Sequence, residues 1–546
     1  MRFKIFLFVL AFLLASTSVY AINAKSIDYM KVEVTETGTL TPIDVITEMN
    51  LEVYIPAQYE SLDVQAESWS FINDSYGNNM VRLSWKNPLG PKTYNVKTLV
   101  NSNAKHLATN VEIADNPELT KEMEGIEFTD YIRKKAYPYE KTIDNIVELA
   151  KWVHDYIEYD TSYVNEILNV SEILRQRKGV CVEYATLLTS LLRVSGIPVR
   201  FAAGYAYSSM NENFIGHSWI EVPLANGQWL GIDPTWLEAG YIDATHIKTA
   251  SLPTNHQLET LTYRGTGEVR WDRGETNFNI IDTQEKSKQE ISVVSEQSSF
   301  KPGYGYVVAS IDVQECNMFD ISANSCVDNN NKKLLDIYEQ GRILWLCNNK
   351  EDIYWFFSIS GKNYACPISI FDQGNSRTNA EIEVSNEKTV SQAAINGPDT
   401  VGVNELFILE AYAGSNFFFY SSKFGKHSAS KWELSISKPG NYIFYLYSDG
   451  SLDMKNVSVV EKKEFNLDVI APANVTLGMQ VPVRIVVKNL MNETKDAMAS
   501  IEFSGNITRT PVVIEPSQSK ELALNLTTTS AGSRKLVVTV SANTLI

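Results

Sequence analysis

GVCVEYATLLTSLLRVSGIPVR, residues 179–200, decides how this chain is read. Cys181 follows a glycine-valine pair and opens a helix with Ala185, Leu188, Leu191 and Leu192 on one face and Leu187 on another, a pattern set for burial. Ser195-Gly196 and Pro198 end it. A thiol at such a position is either a small apolar filler or a nucleophile. The second reading has physical support, because the positive end of the helix dipole and unpaired N–H groups stabilise a thiolate. The same N–H groups can hold the oxyanion of a tetrahedral intermediate. Gly179 lets the preceding chain approach the helix closely.

A nucleophile needs a base, and the base needs a group to orient it. HSWIEVPLANGQWLGIDPTW, residues 217–236, supplies His217 opening one strand and Asp233 closing the next. Hairpin parity tests the pair. A two-residue Asn226-Gly227 turn puts His217 and Asp233 on opposite faces. A three-residue Ala225-Asn226-Gly227 loop, with Gly227 left-handed, pairs Leu224 with Gln228 and makes the two side chains diagonal neighbours, about 7–8 Å apart on one face. The catalytic reading therefore predicts the three-residue loop. His154 is a rival base without a following carboxylate motif. Glu183 and Tyr184, one helical step from Cys181, and Trp219 and Trp236, beside the histidine and aspartate, are candidate substrate contacts, with packing as the competing account.

Taken together, GVCVEYA…LLRVSGIPVR…GY, HSWIEV and WLGIDPTW resemble the core of the transglutaminase-like superfamily of prokaryotic type, over residues 142–240. The resemblance implies a papain-like core with Cys181 as nucleophile, His217 as general base and Asp233 as its orienter. It implies amide acyl transfer through a thioester on a protein or peptide substrate, with cell-surface proteins among the candidates. Hydrolysis, as by a protease, isopeptidase or amidase, is the favoured outcome. Cross-linking to an amine and a non-catalytic extracellular scaffold are the alternatives.

The 546 residues, 44% apolar, exceed what one core organises. The expected fold class is multidomain α+β. A papain-like, transglutaminase-like core over 119–265 is flanked by an N-terminal β domain (25–118) and C-terminal β-sandwich domains. Residues 1–21, with Arg2 and Lys4 before an apolar run from Ile5 to Ala15, read as a cleaved export signal too short to span a bilayer. A polar linker is expected over 266–300, a disulfide-containing β-rich domain over 300–383, a β-sandwich over 384–463 and an immunoglobulin-like sandwich over 464–546.

The remaining signals concern compartment and partners. A formal charge of −17 without a long basic run excludes nucleic-acid binding. Cys316, Cys326, Cys347 and Cys366 form an even, compact set that suggests two disulfides, and no C-x-x-C pair argues for zinc instead. Sequons at Asn474, Asn492, Asn506 and Asn525 are candidate glycosylation sites. A calcium hand over Asp328–Glu339 is rejected, because Lys332 and Lys333 stand at its fifth and sixth positions. The expectation is a secreted protein with no cofactor, no metal and no transmembrane segment after signal cleavage.

Overall fold

The computed structural model describes residues 23–542 except 110, 137–140, 165, 256–258, 288–290, 294–298, 314, 339–342, 348–349, 375, 389–390, 461–463, 473, 492, 504–505 and 528–535. The expected signal segment and Asn492 lie outside the described residues.

Alternating apolar and polar residues build the N-terminal domain from β1 (Ile27–Ile43), β2 (Ile46–Tyr54), β3 (Tyr59–Gln65), β4 (Trp69–Asn73), β5 (Asn79–Lys86) and β6 (Lys92–Asn103). Met49, Leu51 and Val53 of β2 point inward at the two-residue period of a strand. They meet Leu83 and Trp85 of β5 and Tyr94 and Val96 of β6 in a common core.

The stretch expected as a linker is partly strand. Glu268–Arg273 and Asn277–Glu285 both pair with β1, Gly38 opposite Arg273 and Val34 opposite Phe278. Glu259–Gly265 adds to β2 in the same manner. The pattern reads as linker because these edge strands bury little: Val269, Trp271, Phe278 and Ile280 are half-buried between exposed neighbours. The domain therefore closes only after the chain has left it and returned.

What lies between is the core: β7 (Lys105–His106), α1 (Asp130–Ala136), α2 (Ile143–Tyr156), β8 (Glu158–Tyr159), α3 (Val170–Gln176), β9 (Lys178–Gly179) and α4 (Cys181–Val194). Strands β10 (Arg200–Ser208), β11 (Asn213–Pro223), β12 (Trp229–Asp233), β13 (Glu238–Ala239), β14 (Tyr241–Ile242) and β15 (Ile247–Leu252) follow. Thr142 caps α2 by accepting the Asn145 N–H, and Ile143, Ile146, Val147, Ala150 and Val153 face inward. Asn169 caps α3 and exchanges bonds with Glu172 in a capping box, while Ser171 bonds Glu127. Arg177, at φ +55°, turns the chain out of α3.

Helix α4 is the centre of the core. Ala185, Leu187, Leu188, Leu191 and Leu192 are completely buried, between α1, α2 and α3 on one side and β11 on the other. Burial of each leucine stabilises this arrangement by roughly 1.5–3 kcal/mol, so the helix is a rigid support for its first residue. Strands β13, β12, β11, β10 and β15 form one sheet in that order.

Two disulfides, Cys316–Cys347 and Cys326–Cys366, staple the next region. It is two sheets built around Gly303–Asp312, Lys350–Ile359 and Tyr364–Asp372. Cys316 and Met318 enter the hydrophobic cluster of the core. Gln373 clamps Ala239 from both sides, its Oε1 accepting the Ala239 N–H and its Nε2 donating to the Ala239 carbonyl. Phe418, Tyr420, Tyr445 and Tyr447 interleave with Tyr306, Tyr354 and Phe356 of this region.

The chain forms two compact units by contact, and residues 458–546 fall in the second with 399–407 and 434–439. There, Phe465–Ile470, Gln480–Asn489 and Ser519–Thr527 make one three-stranded sheet, and Lys495–Phe503, Asn506–Ile514 and Leu536–Ala542 make another. Val481, Val483, Ile485, Val487, Ala499 and Ile501 fill the space between them. The protein is mostly β and multidomain.

Candidate active site

Cys181 is the first residue of α4 and is 7% exposed. A Cβ on Gly179 would lie 2.5 Å from the Glu183 side chain, so only glycine allows the chain to run this close to the helix start. Glu183 itself is fully buried, and its Oε2 accepts the Val180 N–H at 2.8 Å. Tyr184 is also buried, its hydroxyl donating to the Ile157 carbonyl at 2.6 Å. These two side chains, expected as substrate contacts, are instead tied to the first turn and to the end of α2.

The β11–β12 hairpin has the three-residue loop. The Leu224 N–H donates to the Gln228 carbonyl at 2.9 Å, Gly227 takes φ +84°, and Pro223 lies opposite Trp229. This register carries Ile220 opposite Ile232 and brings His217 and Asp233 to one face. His217 Nε2 lies 2.8 Å from Asp233 Oδ2, both side chains buried. Cys181 is close enough to His217 to contribute to its electrostatics. Cys181 and Asp233 are thus supplied by a helix start and a strand end, whereas His217, expected to open its strand, stands in the middle of β11, which begins at Asn213 because residues 213–216 also pair with β10.

The aspartate is held on both oxygens. Oδ1 accepts the Thr235 N–H at 2.7 Å and the Trp236 N–H at 3.3 Å, while Oδ2 faces His217 and, at 3.4 Å, His246. Trp236 lies flat against His217, ring centroids 4.2 Å apart at 7°, and lines a cavity of about 390 Å³ with Lys25, His154 and Phe319. Trp219 is buried in the core 6.0 Å from the same imidazole. His154, the rival base, braces the turn through contacts of 3.1 Å from Nδ1 to the Pro234 and Thr235 carbonyls.

Electrostatics follow from burial and pairing. Burial alone disfavours a charged His217, but the Asp233 charge and hydrogen bond, with a further contribution from Cys181, outweigh it and raise its pKa to about 9. Asp233 is likewise opposed by burial, yet the His217 and His246 partners hold it well below the usual carboxylate range.

Behind Asp233 lies a group that sequence reasoning missed: Glu238, Asp243 and His246, all buried. Ligand atoms of these three lie within 4.8 Å of one another, as do those of His217, Asp233 and His246, so either set could hold a metal ion by proximity. The available signal was the segment DATHIKT, in which His246 precedes β15 just as His217 stands in β11, the two strands flanking β10. Asn474, Asn506 and Asn525 are exposed in the second unit. Among the described residues, no helix is long and apolar enough to cross a membrane.

Residues 127–234 match the family model of the transglutaminase-like superfamily. An uncharacterized protein of Mycobacterium bovis is 29% identical over 133 residues, covering 22% of this chain and 42% of that one. The chain thus spans less than half the length of that relative. A protein-glutamine gamma-glutamyltransferase of Pseudomonas aeruginosa is 35% identical over 103 residues (16% of this chain, 15% of that one). Kyphoscoliosis peptidase of Mus musculus is 32% identical over 108 residues (18% and 16%). The segment 127–234, with Cys181, His217 and Asp233 inside it, is a domain of the transglutaminase-like superfamily.

Proposed function

We propose that the chain is a cysteine-dependent amide acyl-transfer enzyme acting on a protein or peptide. The carrying observation is the buried His217–Asp233 pair, 2.8 Å apart, with Cys181 as its third member at the start of a rigid helix. In this reading the Cys181 sulfur attacks the carbonyl carbon, and N–H groups at the helix start receive the developing oxyanion. His217, charged through its pairing with Asp233, gives its proton to the departing amine as the C–N bond breaks. A thioester remains on Cys181. Water, deprotonated by the now neutral His217, then attacks the thioester, releasing the acid and leaving Cys181 as thiolate beside the recharged His217. Hydrolysis is the outcome favoured here.

Transfer to an amine is the second reading, supported by the name of the Pseudomonas relative, as the name of the mouse relative supports hydrolysis. Export belongs to the proposal as well, since Cys316–Cys347 and Cys326–Cys366 are paired, as befits an oxidising compartment.

The deciding experiment is mass spectrometry of casein and a labelled amine incubated with the protein, beside a Cys181→Ala control. Cleaved or deamidated casein without amine establishes the hydrolase. Incorporated amine establishes the transferase. Matching samples, together with a Cys181 that alkylates no faster than an ordinary thiol, overturn the enzymatic reading.

A further inference from the structure

Beside the His217–Asp233 pair, Glu238, Asp243 and His246 bring ligating atoms to one buried place and leave them unsatisfied. Strand β13 pairs with β12 so that Glu238 stands opposite Asp233, and the Gln373 clamp on Ala239 holds it there. The Glu238 side chain is 1% exposed, and neither of its carboxylate oxygens has a hydrogen-bond partner among the described residues. Asp243, in the turn before β15, uses Oδ1 to accept the Thr245 N–H and hydroxyl at 2.7 and 2.6 Å. Its Oδ2 is buried without a partner. His246 Nε2 lies 3.4 Å from Asp233 Oδ2, while its buried Nδ1, 3.5 Å from Asp243 Oδ1, makes no hydrogen bond. One ligand atom from each of the three residues lies within 4.8 Å of the other two.

Four buried polar atoms left unsatisfied together call for a common partner. With the His246 proton on Nε2, toward Asp233, all four are acceptors. A single water brings two protons and satisfies two of them. Lys25 Nζ is 3.8 Å from Glu238 Oε1, beyond hydrogen-bond reach, and donates instead to the Trp236 carbonyl at 2.9 Å. A divalent cation serves all four. The equally compact set of His217, Asp233 and His246 differs, because its atoms are already engaged: His217 Nε2 with Asp233 Oδ2 at 2.8 Å, and Asp233 Oδ1 with two N–H groups.

We infer that Glu238, Asp243 and His246 Nδ1 hold a divalent transition-metal ion, zinc being the one whose preferences match. Imidazole with carboxylates suits zinc, and three protein ligands leave a fourth position to water. Calcium asks for about six to eight oxygens, more than two carboxylates supply. Asp243 and His246 also line a cavity of about 510 Å³, which offers the ion a path. The ion fixes His246 as the Nε2–H tautomer, whose N–H faces the same Asp233 oxygen that serves His217. It thereby steadies the orienting carboxylate from behind, and this consequence alone rests on the acyl-transfer reading.

The test uses the full-length protein and its Cys181→Ala variant, which lacks the thiol as a competing zinc ligand. Each is stripped with a chelator, equilibrated with micromolar zinc and assayed for bound metal by inductively coupled plasma mass spectrometry. One equivalent per chain is expected in both. Glu238→Gln in the Cys181→Ala background should weaken binding by more than the roughly 10–100-fold that losing a hydrogen-bond partner of a metal ligand costs. His217→Gln in the same background should keep the equivalent. No bound zinc in either parent, unchanged affinity in Glu238→Gln, or zinc lost in Cys181→Ala or His217→Gln overturns the inference. If Glu238→Gln does not fold, hydrogen exchange of the Cys181→Ala protein with and without zinc decides. Slowed exchange across residues 237–247 supports the site; slowing only elsewhere, or none, overturns it.

Alkylation of wild-type Cys181 by iodoacetamide keeps the two readings apart. Zinc lost on Glu238→Gln in a protein whose thiol is inert defeats the acyl-transfer reading and leaves the metal site standing. A fast thiol in a protein that holds no zinc does the reverse.

Discussion

In the second compact unit the interior is Val481, Val483, Ile485, Val487, Ala497, Ala499, Ile501, Val512 and Ile514, and Asn489 is the buried polar side chain among its described residues. Around the start of α4 the interior holds Glu183, His217, Asp233, Glu238, Asp243 and His246. Both regions are well packed and both lie in one chain, yet only one tolerates buried charge. An isolated charge taken out of water costs several kcal/mol, so it persists where partners and a function retain it. The contrast teaches where to look: the apolar sandwich sets stability alone, whereas the charged interior couples stability to chemistry.

The largest expected break in that contrast is Asp233→Asn. It keeps the shape of the site but removes the anion that holds His217 charged, and single-turnover acylation should fall on the order of 10³–10⁴-fold. An unchanged rate would mean that the buried pair is structural. Ile485→Ala tests the other region. Denaturant unfolding should show a loss of roughly 2–5 kcal/mol from the cavity, with the Cys181 alkylation rate untouched. A slowed thiol in that variant would show that the dry sandwich and the charged core are not independent. The third effect is one of pH. His217 has a raised pKa, so its proton is present below about 9 and lost above it. Acylation limited by proton donation should therefore fall about tenfold per pH unit beyond that point, while stability measured on the second unit's sandwich stays level.

Much of this site was legible because short-range rules govern it. A glycine before a helix-opening cysteine, and a loop whose length sets strand parity, both act over a few residues; Leu224 meets Gln228 as that parity requires. What was not legible depends on distant partners. Glu183 looks available on a helix wheel, but its carboxylate turns back to accept the Val180 N–H and is buried. Asp243 and His246 lie in an ordinary polar turn until β12 and β13 are laid beside them. The stretch 266–300 is polar because edge strands show one face to water, and only the exposed β1 edge makes strands of it.

The return of the chain to β1 also sets a timetable for synthesis. A ribosome releases β1 to β6 long before Glu268–Arg273 and Asn277–Glu285 exist, so β1 leaves the tunnel with an edge lacking its later partners. The transglutaminase-like segment emerges next, but the Gln373 clamp on Ala239 and the Cys316 and Met318 contributions to its interior come later still. Translation therefore delivers Cys181 before its housing is complete. A fragment cut at 127–234 would stop the process at that stage, with open edges and without Asp243, His246 or the clamp.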